Sequence, residues 1–206
     1  LEVKGNVCPA VSKTVSVEVK EKPQVTVTSS PICAGSSDAP EVIMTPREGM
    51  TFEWVNAPTW SSLTAGTRTV SYKITSDNGC FVEGTTDVTV EAPIVFELAK
   101  VDAICEGESV ELKVDGDVTG TLAENNAYQW YKGSEKIEGA TSPSYELQNA
   151  TVTATADYTL TVSGKKCNSV SKTVSVVVKE LPDADLTSEP ICSGSSVAPK
   201  VPGTWI

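Results

Sequence analysis

The sequence contains no histidine, so the most common catalytic base is missing from the chain. Without histidine, neither a Ser–His nor a Cys–His nucleophile can be assembled. No Cys-x-x-Cys pair occurs either, and the spacing of the six cysteines does not resemble a zinc site. A carboxylate pair could still serve a glycosidase, but no insertion is large enough to form a cleft around one. We therefore expect no enzyme, no cofactor and no metal site.

Basic residues and long apolar runs are also scarce. The chain has 16 Lys and Arg against 27 Asp and Glu, for a net charge of −11. A basic surface that could neutralise phosphates is therefore missing, which argues against nucleic acid as a partner. No apolar run approaches the ~18 residues that a membrane-spanning helix needs. We expect no membrane insertion in this segment.

One stretch of the sequence occurs twice. Residues 8–42 match residues 167–201 without a gap, and 201 − 42 gives the offset of 159. Both copies contain the run SKTVSV and, further on, an Ile-Cys-x-Gly-Ser-Ser corner. An ungapped repeat at such a distance indicates that the chain is a window of a longer tandem array.

Three prolines, each two residues after a glutamate, divide the chain: Pro23, Pro93 and Pro182. Proline fixes φ and has no N–H, so it ends a strand and stiffens a short linker. The prolines therefore predict tandem domains in a semi-rigid rod. The predicted segments are the last strands of a preceding domain at 1–22, complete β-sandwiches at 24–93 and 94–182, and the first strands of a following domain at 183–206.

Apolar residues alternate with polar ones in most of the chain, which predicts β-strands and almost no helix. In the first complete segment a strand is predicted at Gln24–Thr28, and Phe52 and Trp54 share one face of a later strand. The tripeptide Asp77-Asn78-Gly79 predicts a tight hairpin turn, because its residues tolerate positive φ. The last strand then begins at Cys80 and directs Val88 and Val90 inward.

The second complete segment resembles the immunoglobulin superfamily. Trp130, in Tyr-Gln-Trp-Tyr-Lys-Gly, lies where strand C of that superfamily carries its core tryptophan. Tyr158 lies at the position of the tyrosine corner, and Val114 and Leu160 occupy the two positions of the usual core disulfide. The resemblance implies a Greek-key sandwich with these four residues in its core and no disulfide across it. The first complete segment resembles the related PKD-type sandwich but lacks its WDFGDG signature.

Each complete segment contains one cysteine near its start and one before its last strand. This placement predicts two disulfides, Cys33 with Cys80 and Cys105 with Cys167, each worth roughly 4 kcal/mol by the loop-entropy argument. Cys8 and Cys192 belong to incomplete domains, and we expect both to be unpaired in this chain. Disulfides at matched positions indicate an oxidising, extracellular setting.

Three short motifs are candidates for binding or modification. Trp60 lies in a predicted loop and is the best candidate for stacking on a sugar. Asp115-Gly116-Asp117 could offer oxygens to calcium, but a polar turn explains it better because other spaced ligands are missing. Asn149-Ala150-Thr151 fits an N-glycosylation sequon, which matters only in a host with that machinery.

Taken together, the motifs resemble the repeat regions of long secreted surface adhesins of the Bacteroidota. The shared elements are the Ile-Cys-x-Gly corners, the closing TVSVxVKE strand, and the YQWYKG segment. The resemblance implies a disulfide-stapled stalk at the cell surface, as in gliding-motility adhesins exported by the type IX secretion system. Its partners would be neighbouring repeats, surface glycans or other cell-surface proteins. A carbohydrate-binding module and spacer domains of a secreted multidomain enzyme are the alternatives.

Overall fold

The structure is a computed structural model that describes residues 2–4, 6–182 and 192–194. Sixteen β-strands account for nearly all of its regular structure, which confirms the all-β prediction. Two short 3-10 turns, at Trp60–Ser62 and Val152–Ala154, are the helical elements among the described residues. In this part of the chain no helix is long and apolar enough to cross a membrane.

The strands, numbered in chain order, have the following bounds. The first eight are β1 Glu2–Val3, β2 Val11–Ser12, β3 Thr26–Ser29, β4 Ile32–Cys33, β5 Val42–Thr45, β6 Met50–Val55, β7 Gly66–Ser76 and β8 Phe81–Glu91. The next eight are β9 Ile104–Cys105, β10 Val110–Lys113, β11 Tyr128–Lys132, β12 Glu135–Lys136, β13 Ser144–Leu147, β14 Ala156–Val162, β15 Val170–Val176 and β16 Val178–Lys179.

The chain forms two compact units. Unit 1 contains Leu1–Val95, Thr119–Asn125 and Ser163–Ser169, and unit 2 contains Phe96–Val118, Asn126–Val162 and Val170–Ile206. The predicted boundaries at the three prolines stay a prediction. Most of the predicted segment 183–206 lies outside the described residues.

Unit 1 contains a four-stranded sheet in the order β4-β8-β7-β6 and a two-stranded sheet of β3 and β5. Strand β4 is parallel to the end of β8, so that Cys33 faces Glu91, while the other neighbours are antiparallel. Alternation places the apolar residues on one face, as expected for a half-buried strand. The resulting core includes a cluster of Ile32, Val70, Val88 and Val90.

The turn between β7 and β8 lies at the residues predicted for it, and hydrogen bonds from its own side chains explain its shape. Gly79 has a φ of 87°, a value that glycine adopts without strain. The side-chain oxygen of Asn78 accepts hydrogen bonds from the backbone N–H of Cys80 at 2.9 Å and from the Ser76 hydroxyl at 2.7 Å. This turn sets the register of the two longest strands and places Cys80 directly before β8.

Unit 2 contains a four-stranded sheet in the order β12-β11-β14-β15, and two pairs, β10-β13 and β16-β9. The β16-β9 pair is parallel, with Cys105 facing Lys179, and so repeats the β4-β8 arrangement of unit 1. The largest fully buried side chains of this unit are Leu112, Trp130, Tyr158, Leu160, Val162 and Val176.

The repeated strand has a different environment in its two copies. Val176 and Val178, at the end of the second copy, are 1% and 4% exposed. Their counterparts Val17 and Val19, which lie 159 positions earlier, are 78% and 89% exposed. In the first copy, Val11 and Ser12 pair with β1.

Candidate functional site

The most unusual chemical feature of the molecule is a disulfide between Cys33 and Cys167, which are separated by 134 residues. Cys33 ends β4, and the N–H of the next residue, Ala34, donates to the carbonyl of Glu91 at 2.9 Å. Gly35 then turns the chain with a φ of 84°. The Ile-Cys-x-Gly corner therefore holds the first cysteine at the C-terminal end of β8.

Cys167 lies in the turn between β14 and β15, a segment that is tightly constrained. Its Sγ is 3.6 Å from the carbonyl oxygen of Glu91 and it is buried. A side chain at Gly164 would meet the backbone of Cys167, since a Cβ there would lie 2.7 Å from the Cys167 oxygen. The N–H of Lys165 donates to the carbonyl of Thr121 at 2.9 Å. These contacts fix the sulfur beside the strand end that carries Cys33.

An exposed ion pair holds the turn that carries Cys167. Lys165 Nζ is 2.7 Å from a carboxylate oxygen of Glu124. The hydrogen bond and charge of Glu124 raise the pKa of Lys165, and those of Lys165 lower the pKa of Glu124. Because both groups are exposed, water screens the pair and it orients the turn more than it stabilises the fold.

The predicted disulfide pairs, Cys33 with Cys80 and Cys105 with Cys167, are wrong in this structure. Cys33 faces Glu91 at the end of β8, whereas Cys80 immediately precedes the start of the same strand. At ~3.3 Å per residue, 91 − 80 = 11 residues place the two cysteines on the order of 36 Å apart. A disulfide requires Cα atoms within about 7 Å.

The same geometry excludes the second predicted pair. Cys105 faces Lys179 at the end of β16, whereas Cys167 precedes Val170, where the preceding strand β15 begins. Both predictions assumed that the early cysteine of a domain lies beside the start of its last strand. The parallel direction of β4 and β9 places it beside the end.

Four cysteines are free thiols: Cys8, Cys80, Cys105 and Cys192. Cys80 is half-buried and the other three are exposed. The Sγ of Cys80 lies 3.7 Å from the carbonyl oxygen of Lys20. Two further contacts hold this hairpin turn against the same backbone: Lys20 Nζ donates to the Asn78 carbonyl, and Asn78 Nδ2 donates to the Glu21 carbonyl, both at 3.3 Å.

Trp60, the predicted sugar-stacking residue, is half-buried. Its ring packs against the core of unit 1, with its centroid 5.6 Å from that of Trp54 in an edge-on arrangement. Trp54 packs against the same core. Phe81, the first residue of β8, is 47% exposed. Lys73 lies over its ring, with Nζ 4.4 Å from the ring centroid. These three aromatic residues do not form a shared flat surface.

The remaining candidate motifs lie in turns. Gly116, between the two aspartates, has a φ of 82° and so serves a tight turn. Among the described residues no group of three or more potential ligands is arranged to hold a metal ion. Asn149 of the sequon is exposed and has a φ of 46°. An open cleft of about 560 Å³ borders Cys33, with Asp38, Glu41 and Lys166 in its wall.

Solved structures of tandem immunoglobulin domains are similar to this chain. A three-domain structure of titin, in an E-to-A mutated variant, matches with a TM-score of 0.52 and 18% identity over 82% of this chain and 69% of that chain. The corresponding I-band fragment of titin gives a TM-score of 0.49 and 17% identity over 76% of this chain and 64% of that chain. Extracellular domains 3–5 of Drosophila OTK give 0.43 and 14%, over 76% and 62%.

The protein consists of tandem immunoglobulin-like β-sandwiches. At these identities the similarity concerns the fold alone, and it rests on the first titin structure, whose TM-score exceeds 0.5. The chain spans less than two thirds of the length of the I-band fragment. No protein-family model matches the sequence, and no curated protein matches it.

The core of the second Ig-like sandwich contains three of the four residues named from the sequence. Trp130, Tyr158 and Leu160 are fully buried, and Trp130 faces Leu160 across β11 and β14. Trp130 Nε1 donates to the Ser142 carbonyl at 3.0 Å. Val114 is only half-buried, because it follows the end of β10; Leu112, two residues earlier on the same face, is fully buried instead.

Tyr158 forms the tyrosine corner of the Ig-like fold. Its hydroxyl donates to the carbonyl of Ala154, four residues upstream, at 3.1 Å. Burial, with a smaller contribution from Tyr145, raises the pKa of this hydroxyl above its ordinary value. The ring of Tyr145 stacks on that of Tyr158 at 6.3 Å between centroids.

Proposed function

We propose that this chain is a structural repeat segment of an extracellular cell-surface adhesin or filament, in which Ig-like sandwiches form a disulfide-stapled stalk. The observation that carries the proposal is the contrast between the two copies of the repeated strand. Val176 and Val178 are buried, whereas Val17 and Val19 are exposed. Burying several valines contributes about 1.5–3 kcal/mol each. The first copy therefore needs the strands of a preceding sandwich, as in a tandem array.

The disulfide supports an extracellular location. Disulfides persist in oxidising compartments and are rare in the cytosol. The bond between Cys33 and Cys167 is buried on one side and held by defined backbone contacts, as a structural bond would be. The net charge of −11 suits a surface filament, because like-charged neighbouring filaments repel one another.

The repeat motifs add the finer part of the proposal. The Ile-Cys-x-Gly corners and the closing TVSVxVKE strand resemble Bacteroidota surface adhesins, including gliding-motility adhesins exported by the type IX secretion system. In this proposal the partners of the segment are neighbouring repeats, and the parent protein contacts surface glycans or other cell-surface proteins. Trp60 packs inward, so we do not assign the glycan contact to it.

Labelling of intact cells tests this function. Antibodies against residues 24–182 should stain unpermeabilised cells, and brief external proteolysis should remove the signal. Deletion of the parent gene should reduce attachment to surfaces, and gliding in a gliding strain, without slowing growth in suspension. Staining that requires permeabilisation would overturn the proposal.

The repeat number of the parent gene separates the stalk from the spacer alternative. A filament requires many copies of the 159-residue unit, whereas a spacer in a secreted enzyme requires one or two beside a catalytic domain. A parent gene with a single copy and an adjacent hydrolase domain would therefore replace the stalk with the spacer.

A further inference from the structure

We propose that the free thiols of Cys80 and Cys105 are halves of further disulfides, each completed by a cysteine of the adjacent repeat. The array would then carry one staggered disulfide per sandwich, joining the corner cysteine of each domain to the last-hairpin cysteine of the next. This inference rests on the tandem array proposed above.

The corner cysteines Cys33 and Cys105 have the same local structure. Each ends a two-residue strand that is parallel to the closing strand of its sheet. After Cys33, the N–H of Ala34 donates to the Glu91 carbonyl at 2.9 Å; after Cys105, the N–H of Glu106 donates to the Lys179 carbonyl at 2.9 Å. Cys33 is oxidised and Cys105 is an exposed free thiol. Cys33 therefore has a partner cysteine within this chain, whereas Cys105 does not.

The hairpin cysteines Cys80 and Cys167 also correspond. Each precedes the closing strand of its predicted domain, β8 and β15 respectively. Cys167 Sγ is 3.6 Å from the Glu91 carbonyl, and Glu91 is the residue that faces the corner cysteine Cys33. The sulfur thus lies beside a strand end that presents a corner cysteine.

Cys80 lies beside the first copy of the repeated closing segment, which is not in a strand at this point. Its Sγ is 3.7 Å from the Lys20 carbonyl. Lys20 is the repeat copy of Lys179, since 20 + 159 = 179, and Lys179 faces the corner cysteine Cys105. In a preceding repeat, a copy of Cys105 would therefore face Lys20, next to Cys80. Cys80 thus contacts a backbone carbonyl as Cys167 does, but it has no corner cysteine of this chain as a partner.

Cys8 and Cys192 fit the same pairing, in which the corner cysteine of one domain bonds to the last-hairpin cysteine of the next. Cys8 is the repeat copy of Cys167 and Cys192 is the copy of Cys33, because 8 + 159 = 167 and 33 + 159 = 192. Both are exposed free thiols in this chain. This pairing assigns the partner of Cys8 to the preceding repeat and the partner of Cys192 to the following one.

The bond forms by thiol–disulfide exchange with a small-molecule or protein disulfide as the oxidant. The thiolate of one cysteine attacks the oxidant, which releases one thiol and leaves a mixed disulfide. The second thiolate then attacks the mixed disulfide and releases the second thiol. Two protein thiols lose two protons and two electrons, and one oxidant disulfide is reduced to two thiols.

A two-copy chain provides the test. Residues 1–182 followed directly by residues 24–206 preserve the 159-residue spacing, because Pro182 is the copy of Pro23. After oxidation with oxidised glutathione, peptide mapping without reduction should find a bond between Cys105 and Cys80, which the single-copy changes below assign to Cys105 of the first copy and Cys80 of the second. Both copies should also contain the Cys33–Cys167 bond.

Thiol counting gives a second readout. The two-copy chain has 5 + 5 = 10 cysteines; three disulfides leave four reactive thiols, whereas the two Cys33–Cys167 bonds alone leave six. Cys105→Ser in the first copy should free Cys80 of the second, and the same change in the second copy should free no other thiol. Six thiols in a folded chain, or a bond from Cys33 to Cys80, would overturn the proposal. Neither outcome bears on surface location, which the antibody experiment tests separately.

Discussion

The Cα atoms of Cys33 and Cys167 lie 4.9 Å apart although 134 residues separate them along the chain. The bond therefore closes a loop that contains nearly all of both predicted sandwiches. By the loop-entropy argument, closure of a loop of that length stabilises the folded state by about 5 kcal/mol.

Replacement of either bonded cysteine should destabilise the protein strongly. Cys33→Ser and Cys167→Ser should each lower the free energy of unfolding by about 3–5 kcal/mol, because the unfolded chain regains the entropy of an open loop. Cys80→Ser is the matched control and should change it by less than about 1 kcal/mol, since its thiol is free in this chain. Urea unfolding followed by fluorescence measures all three. A larger loss in Cys80→Ser than in Cys33→Ser would contradict the observed pairing.

A pair of core truncations distinguishes Leu112 from Val114. Leu112 is fully buried in unit 2, so that Leu112→Ala should cost about 2–5 kcal/mol through lost contacts and a cavity. Val114 is half-buried, and Val114→Ala should cost about 1 kcal/mol or less. Thermal or urea unfolding of the two variants provides the comparison. Equal losses would mean that both residues occupy core positions, as the sequence resemblance predicted.

The raised pKa of the Tyr158 hydroxyl should make the protein less stable in alkaline solution. The pKa of this hydroxyl is raised in the folded state, so its contribution is complete below the ordinary pKa of about 10. As pH rises from there through the folded pKa, the unfolded state releases a proton that the folded state retains, and stability falls. Tyr158→Phe should lose about 1 kcal/mol at neutral pH, from the hydrogen bond to Ala154, and should show a weaker alkaline decline.

Measurement of unfolding by urea between pH 8 and pH 11 tests this prediction. Tyr131→Phe is a suitable control, because Tyr131 is half-buried in the same sheet but does not form the corner. If Tyr158→Phe and the parent protein decline in parallel, the alkaline loss comes from other groups.

Trp60 should act as a packing residue. Trp60→Ala should lower the free energy of unfolding by about 2–3 kcal/mol, because its ring covers the core of unit 1 beside Trp54. Phe81→Ala, which removes an exposed ring, should cost under about 1 kcal/mol. A glycan array with both variants tests the alternative. Loss of sugar binding in a Trp60→Ala protein of unchanged stability would restore Trp60 as a ligand residue.

Local patterns in the sequence were sufficient for much of the fold. Alternation predicted the strands that carry Trp54 and Val88, and the Asp77-Asn78-Gly79 turn was found as expected. Position-by-position resemblance identified Trp130 and Tyr158, which are buried. Each of these features depends on a few neighbouring residues, so a single sequence contains the information.

The disulfide pairing depends on the direction of a strand pair, which local patterns do not encode. Spacing alone suggested that Cys33 should meet Cys80 at the start of the last strand. The two-residue strand β4 is parallel to β8, and this direction places Cys33 beside Glu91 instead. The packing of Trp60 has a related cause, because a loop residue can fold back onto a core that is built from distant strands. The repeat offset contained a usable signal, since it showed that Cys8 and Cys167 are copies of each other, as are Cys33 and Cys192.

The parallel strand pairs have a mechanical consequence. In β4-β8 and β9-β16, an early strand runs alongside the end of the closing strand. When the two ends of such a sandwich are pulled apart, the paired strands slide past each other lengthwise, and their hydrogen bonds carry the load together. An antiparallel pair pulled from one end would instead unzip one bond at a time. Each of these two strand pairs would thus resist stretching by shear, at a patch only two residues long on each strand.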